Sequence, residues 1–185
     1  MNVARPFSCF ATCLLFTLAA HPTIAQQAPP DPSANACGST ETNYTVKTSP
    51  SNDVPTEPPP RKALVYIIET MPAHDMATTK VNIGLDGAWI GATSANTHLS
   101  FVVTQGTHNL CAVYQGHADV MDDEGHTLVL RLNAQAGNIY YFRYHALFLK
   151  DSPGIAFFDP IDEEEGKYLV WGTNVATSTV KSVKK

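Results

Sequence analysis

Charge is scarce in this chain. Only 16% of its 185 residues are Asp, Glu, Lys or Arg, against about 25% in an ordinary soluble domain, which excludes a charge-rich disordered polymer or a coiled coil. Basic residues are the scarcer half: 12 Lys and Arg face 17 Asp and Glu, for a formal net charge of −5. There is thus no electrostatic footprint for a nucleic-acid backbone and no basic patch for a membrane surface. No segment approaches the roughly 20 consecutive apolar residues that a transmembrane helix needs. The nucleophile elbow G-x-S-x-G, the phosphate loop G-x-x-x-x-G-K-[ST], the dinucleotide fingerprint G-x-G-x-x-G and the metalloprotease H-E-x-x-H are all missing. The sequence therefore nominates no catalytic residue and no cofactor, and the chain reads as a non-enzyme.

What is present begins with an address. Residues 1–25 have the layout of a secretory signal: Arg5 in the n-region, an apolar stretch from Phe10 to Ala20, and small residues at Thr23 and Ala25 before a cleavage point. Cys13 lies inside the apolar stretch and Cys37 well beyond it, so neither is placed for a lipid anchor. The expected location is the periplasm or the outside of the cell.

Residues 26–61 change composition abruptly. Eight of the 13 prolines fall between Gln26 and Pro60, and proline favours extended, polyproline-like backbone. This segment reads as a strap or linker, with Asn43-Tyr44-Thr45-Val46-Lys47-Thr48 as its one possible strand.

Residues 62–172 are expected to form the folded domain. Ala63-Leu64-Val65-Tyr66-Ile67-Ile68 is a continuous apolar run suited to a strand buried on both faces. Val81, Ile83 and Leu85 alternate into Asp86-Gly87, a type I′ turn signal. Leu99, Phe101 and Val103 alternate next, then Leu110 and Ala112, then Leu128, Leu130 and Leu132, and finally the aromatic run Ile139–Tyr144. Ile155–Phe158 reads as the last strand. A short helix follows, with Asp159 as N-cap, Pro160 at the first position, Ile161, Tyr168 and Leu169 on one face, and Gly172 at its end. Residues 173–185 read as a polar, basic tail. The sum is a mainly β fold: a two-sheet sandwich of about seven to eight antiparallel strands with one short C-terminal helix.

Three pieces, Lys62–Ile67, Leu85-Asp86-Gly87-Ala88-Trp89-Ile90-Gly91 and Asn133–Phe142, together with the acidic-glycine element Asp162–Lys167, carry a resemblance to a bacterial family catalogued as domain of unknown function 2846. It covers about residues 62–170. The stretch from Asp86 to Gly91 also looks like the D-G-x-x-x-G hairpin of PEGA-type surface modules, although the Pro-Glu-Gly-Ala signature itself is missing. The first resemblance implies a secreted or envelope-attached β-domain. It implies no catalytic residues.

Three features could carry chemistry. His117, Asp119, Asp122, Asp123, Glu124 and His126 crowd one inter-strand connection. Imidazole and carboxylate ligands suit Zn²⁺ or Ca²⁺, yet the spacing fits no standard framework and an ordinary solvated loop has the same composition. Tyr140, Phe142 and Tyr144 share one strand face and Tyr141 the other; the three-residue face reads as core. Trp89 is the better candidate for an exposed contact, although a half-buried edge tryptophan is the commoner outcome. Finally, Cys9 and Cys13 leave with the signal, so Cys37 and Cys111 remain. In an oxidising compartment an isolated pair bonds, which would pin the strap to the sandwich; the alternative is two free thiols. The favoured function is a non-enzymatic module that binds an envelope or extracellular component. The rival is a small metal-dependent enzyme or metal-binding protein built on the His117–His126 loop.

Overall fold

The computed structural model describes residues 34–37, 42–51, 54–70, 80–115, 127–147 and 155–181. The signal segment and the His117–His126 loop lie outside them.

Among the described residues ten strands form two sheets. β1 (Tyr44–Ser49), β2 (Lys62–Glu69), β5 (Thr97–Thr104), β8 (Ile139–Leu147), β9 (Ile155–Ile161) and β10 (Asn174–Val180) make a six-stranded sheet in the order β1-β10-β5-β2-β8-β9. β3 (Lys80–Leu85), β4 (Ala88–Ser94), β6 (Gly106–Tyr114) and β7 (Leu128–Ala134) make a four-stranded sheet in the order β4-β3-β6-β7. The sheets face each other as a sandwich, and the space between them holds one core. Ala63, Val65 and Ile67 of β2 meet Val81 and Ile83 of β3, Leu110 and Ala112 of β6, and Phe142 and Tyr144 of β8 there.

The apolar run of β2 has the cause expected of it. Its odd-numbered side chains enter the inter-sheet core, while Leu64, Tyr66 and Ile68 point to the outer face and are buried beneath a helix. Asp86 and Gly87 both adopt positive φ, 50° and 84°, the geometry that joins β3 and β4 tightly. Alternation on β8 holds as well: Phe142 and Tyr144 are core, and Tyr141 faces outward.

Four expectations need correction. The strands number ten among the described residues, and two pairings are parallel, β2 with β8 and β10 with β5. Parallel neighbours need long connections. The chain supplies one by passing through the second sheet between β2 and β8, and another through the helix before β10. Asp159 and Pro160 are not a helix start. They belong to β9, opposite Arg143 and Phe142, where an edge strand tolerates a proline that cannot donate. The helix, α2 (Glu163–Gly172), is capped by Asp162, whose side chain accepts from the Glu165 N–H at 2.8 Å. Its buried positions are Gly166 and Val170; Ile161 lies in β9 and Tyr168 is 69% exposed. Lastly, β9 is not the final strand, and the assigned tail contains β10. Asn-Val-Ala-Thr-Ser-Thr-Val is polar enough to read as a tail, but it lies between β1 and β5 with Ala176 buried.

The strap is tied at both ends of its course. Upstream, α1 (Ala34–Cys37) sits on the outer face of the four-stranded sheet. The Cys37–Cys111 disulfide fixes it there across 74 residues, with Cα atoms 5.6 Å apart. Gly84 of β3 leaves the room: a Cβ there would lie 2.6 Å from Cys111 Sγ and 2.8 Å from Cys37 Cα. The chain then adds β1 to the free side of β10 and crosses the outer face of the six-stranded sheet before entering β2.

Candidate binding groove

A concavity lies on that second outer face, between the strap and α2. Tyr66 and Tyr141 are register partners on parallel strands, so their side chains rise side by side. The rings stack at 5.3 Å with 10° between their planes. Gly166 of α2 lies so close to Tyr141 that a Cβ there would enter the ring. Tyr66 also meets His98 in a T-shaped contact, at 5.8 Å and 64°. The stack therefore covers one face of each tyrosine, and both residues line the groove.

The strap forms one wall. The Tyr66 hydroxyl donates to the carbonyl of Pro55, Ser51 Oγ donates to the carbonyl of Val170 at 3.3 Å, and Val54 packs on the cluster below. Lys62 N–H closes the strap onto the Pro59 carbonyl at 3.0 Å. The other wall is α2, contributing Glu163, Lys167, Val170 and Trp171. The enclosed volume is about 480 Å³, within the roughly 300–1,000 Å³ of small-ligand sites. Trp171 at the lip is 81% exposed. At the rim Lys167 Nζ is 2.8 Å from Glu163 and 3.5 Å from Glu164; exposed pairs of this kind add little stability but leave the rim with no uncompensated cation. The Arg143–Glu165 ion pair ties the start of α2 to β8.

Titration behaviour follows burial. The Tyr66 hydroxyl is pushed up to about 12, by burial first and by the neighbouring Tyr141 second, so it is a neutral donor at any physiological pH. His98 is fully buried, and burial drives its pKa down to about 4. Its Nδ1 lies 2.9 Å from Thr173 Oγ1, which itself donates to the Leu169 carbonyl at 2.7 Å. The hydroxyl proton being committed to that carbonyl, His98 Nδ1–H is the donor to Thr173. Nε2 is left without a partner among the described residues.

The residues nominated from the sequence fare unevenly. Cys37 and Cys111 are bonded. His117, Asp119, Asp122, Asp123, Glu124 and His126 lie outside the described residues; within those, no cluster of three His, Cys, Asp or Glu could hold a metal ion. Trp89 is half-buried against the disulfide, the commoner of the two outcomes expected of it. Tyr141, the single aromatic on the other face of its strand, reaches the groove together with Ile139. Tyr66 and Trp171 were not singled out: the first is hidden in an apolar run, and the second sits on a helix whose apolar pattern is weak.

Among the described residues no helix is long and apolar enough to cross a membrane. Neither protein-family models, nor curated proteins, nor solved structures give a match to this chain.

Proposed function

We propose that the protein is an exported, non-enzymatic binding module of the periplasm or cell exterior, which holds an envelope or extracellular component in the groove between strap and helix. The observation that carries this reading is the groove itself. It combines an apolar aromatic floor with a few hydroxyl groups, and an almost fully exposed tryptophan stands at its lip. Exposed tryptophan is costly to leave in water and is enriched where binding energy concentrates. The signal-like residues 1–25 and the disulfide support an oxidising, exported setting. The likeness of Lys62–Lys167 to domain of unknown function 2846, whose members are secreted or envelope-attached β-domains, points the same way.

The test is paired affinity capture from native envelope extract with the wild-type chain and with Trp171→Ala, followed by mass spectrometry. A component retained by the first and lost by the second is the expected result. Identical captures, or none, would remove the groove from the function.

A further inference from the structure

We propose that the occupant of the groove is an extended, proline-rich peptide segment of a partner protein, laid in polyproline II conformation beside the strap. This rests on the binding reading above and names the chemistry of its ligand.

The strap supplies the template. It is a proline-rich segment of this same chain, Val54-Pro55-Thr56-Glu57-Pro58-Pro59-Pro60, and it is seated on the face in question. Polyproline II backbone makes no internal hydrogen bonds, so its carbonyls require external donors. Here the donor is the Tyr66 hydroxyl, which bonds the Pro55 carbonyl. The groove continues from that contact. Tyr141 stands parallel to Tyr66 at 5.3 Å, close to the ~6 Å advance of two polyproline II residues. Its hydroxyl makes no hydrogen bond among the described residues, so the same donor is repeated where a second peptide would run. Trp171 adds an apolar surface of the kind on which proline rings pack, as in other aromatic-lined grooves for such peptides.

The ring geometry confines any sugar stacking to Trp171, since Tyr66 and Tyr141 close one face of each other's ring and Gly166 crowds Tyr141. The Tyr66 hydroxyl is already spent on Pro55, which leaves the Tyr141 hydroxyl as the donor for a carbonyl oxygen of the second segment. Charge agrees as well. At the rim one cation, Lys167, faces two carboxylates, Glu163 and Glu164, so the balance is negative and disfavours an anionic ligand, while an uncharged proline segment meets no repulsion there.

The experiment is isothermal titration of the full mature chain with a proline decamer, and in parallel with cellohexaose. Saturable 1:1 binding of the decamer is expected. Trp171→Ala should weaken it about tenfold or more, Tyr141→Phe severalfold, and Tyr168→Ala less than twofold. Tyr168 is a neighbouring exposed aromatic outside the groove, so equal loss there would expose nonspecific adhesion and overturn the proposal. So would cellohexaose binding without decamer binding, or no saturation by millimolar decamer. Trp171-dependent capture from envelope extract together with decamer failure would discard the ligand class and keep the groove; loss of both would discard both.

Discussion

The two outer faces of the sandwich are covered by opposite means. On the four-stranded sheet the cover is α1, four residues long, contributing Ala36 and Cys37 to a cluster that also contains Cys111, with Trp89 and Val113 at its edge. So little apolar area cannot hold a segment in place, and a covalent bond does it instead. On the six-stranded sheet the cover is ten residues of helix plus the strap, with Val170 of the helix resting on Leu64, Tyr66, Ile68 and Tyr141. That face has enough area to be held by packing and a few hydrogen bonds, and a groove of about 480 Å³ opens on it. A disulfide fixes one geometry, while a packed cover can part from its floor at modest cost. On the proposed reading, the face secured without covalent bonds is the one that admits the ligand.

The largest expected effect is on the covalent side. Replacing both Cys37 and Cys111 by Ala should cost about 4.5 kcal/mol in the chain-entropy description of a 74-residue loop. Urea unfolding checks it, with the wild type measured in the absence of reductant. Decamer affinity should be unchanged at denaturant-free equilibrium, because the groove lies on the other face. A matching loss of affinity would show that the two covers are one cooperative unit.

Next comes pH. A histidine held neutral by burial, its pKa lowered to about 4 from 6.5, binds its proton later in the folded state than in the unfolded one. Its contribution is therefore complete above pH 6.5 and is lost as pH falls towards 4, to a total of ~3 kcal/mol. Denaturant titrations between pH 7 and pH 4 should show this slope, and His98→Gln should flatten it. If the slope survives the substitution, the acid sensitivity belongs elsewhere. Asp86 and His108, 2.6 Å apart beside the β3–β4 turn, act in opposite senses. For His108, burial lowers the pKa but the hydrogen bonds to Asp86 and the Thr104 carbonyl raise it further, so its small contribution fades as pH rises past 6.5.

The smallest effect tests the strap. Tyr66→Phe keeps the ring stack and deletes the donor to Pro55, so about 1 kcal/mol should be lost. Hydrogen exchange should accelerate at Val54 and Thr56 before it does in β2. An unchanged strap would mean that Val54 packing alone secures it.

Much of this architecture could be read in advance, for local reasons. Strand β2 announced itself because a strand covered on both faces must be apolar at every position. The Asp86-Gly87 turn did so because few residue pairs accept positive φ twice. The disulfide followed from counting, since two of the four cysteines lie in the segment read as a signal. The failures share a different cause. Asp159-Pro160 carries a good helix-start signal, yet hydrogen bonds to β8 outweighed it. β10 has almost no apolar pattern, and only a place between β1 and β5 makes it a strand.

By itself, then, the sequence determined the periodicities, the tight turn, the cysteine pair and the proline-rich strap, all properties of residues near one another in the chain or of their number. The tertiary structure alone decided which strands became neighbours. Tyr66 and Tyr141 are 75 positions apart and have no local signature in common. They form a floor only because β2 and β8 pair in parallel and in register, and the groove exists only because a strap from one end of the chain and a helix from the other cover the same outer face. Such a site is a sum of long-range contacts, each selected by the burial of the whole sheet, and no window of sequence contains it.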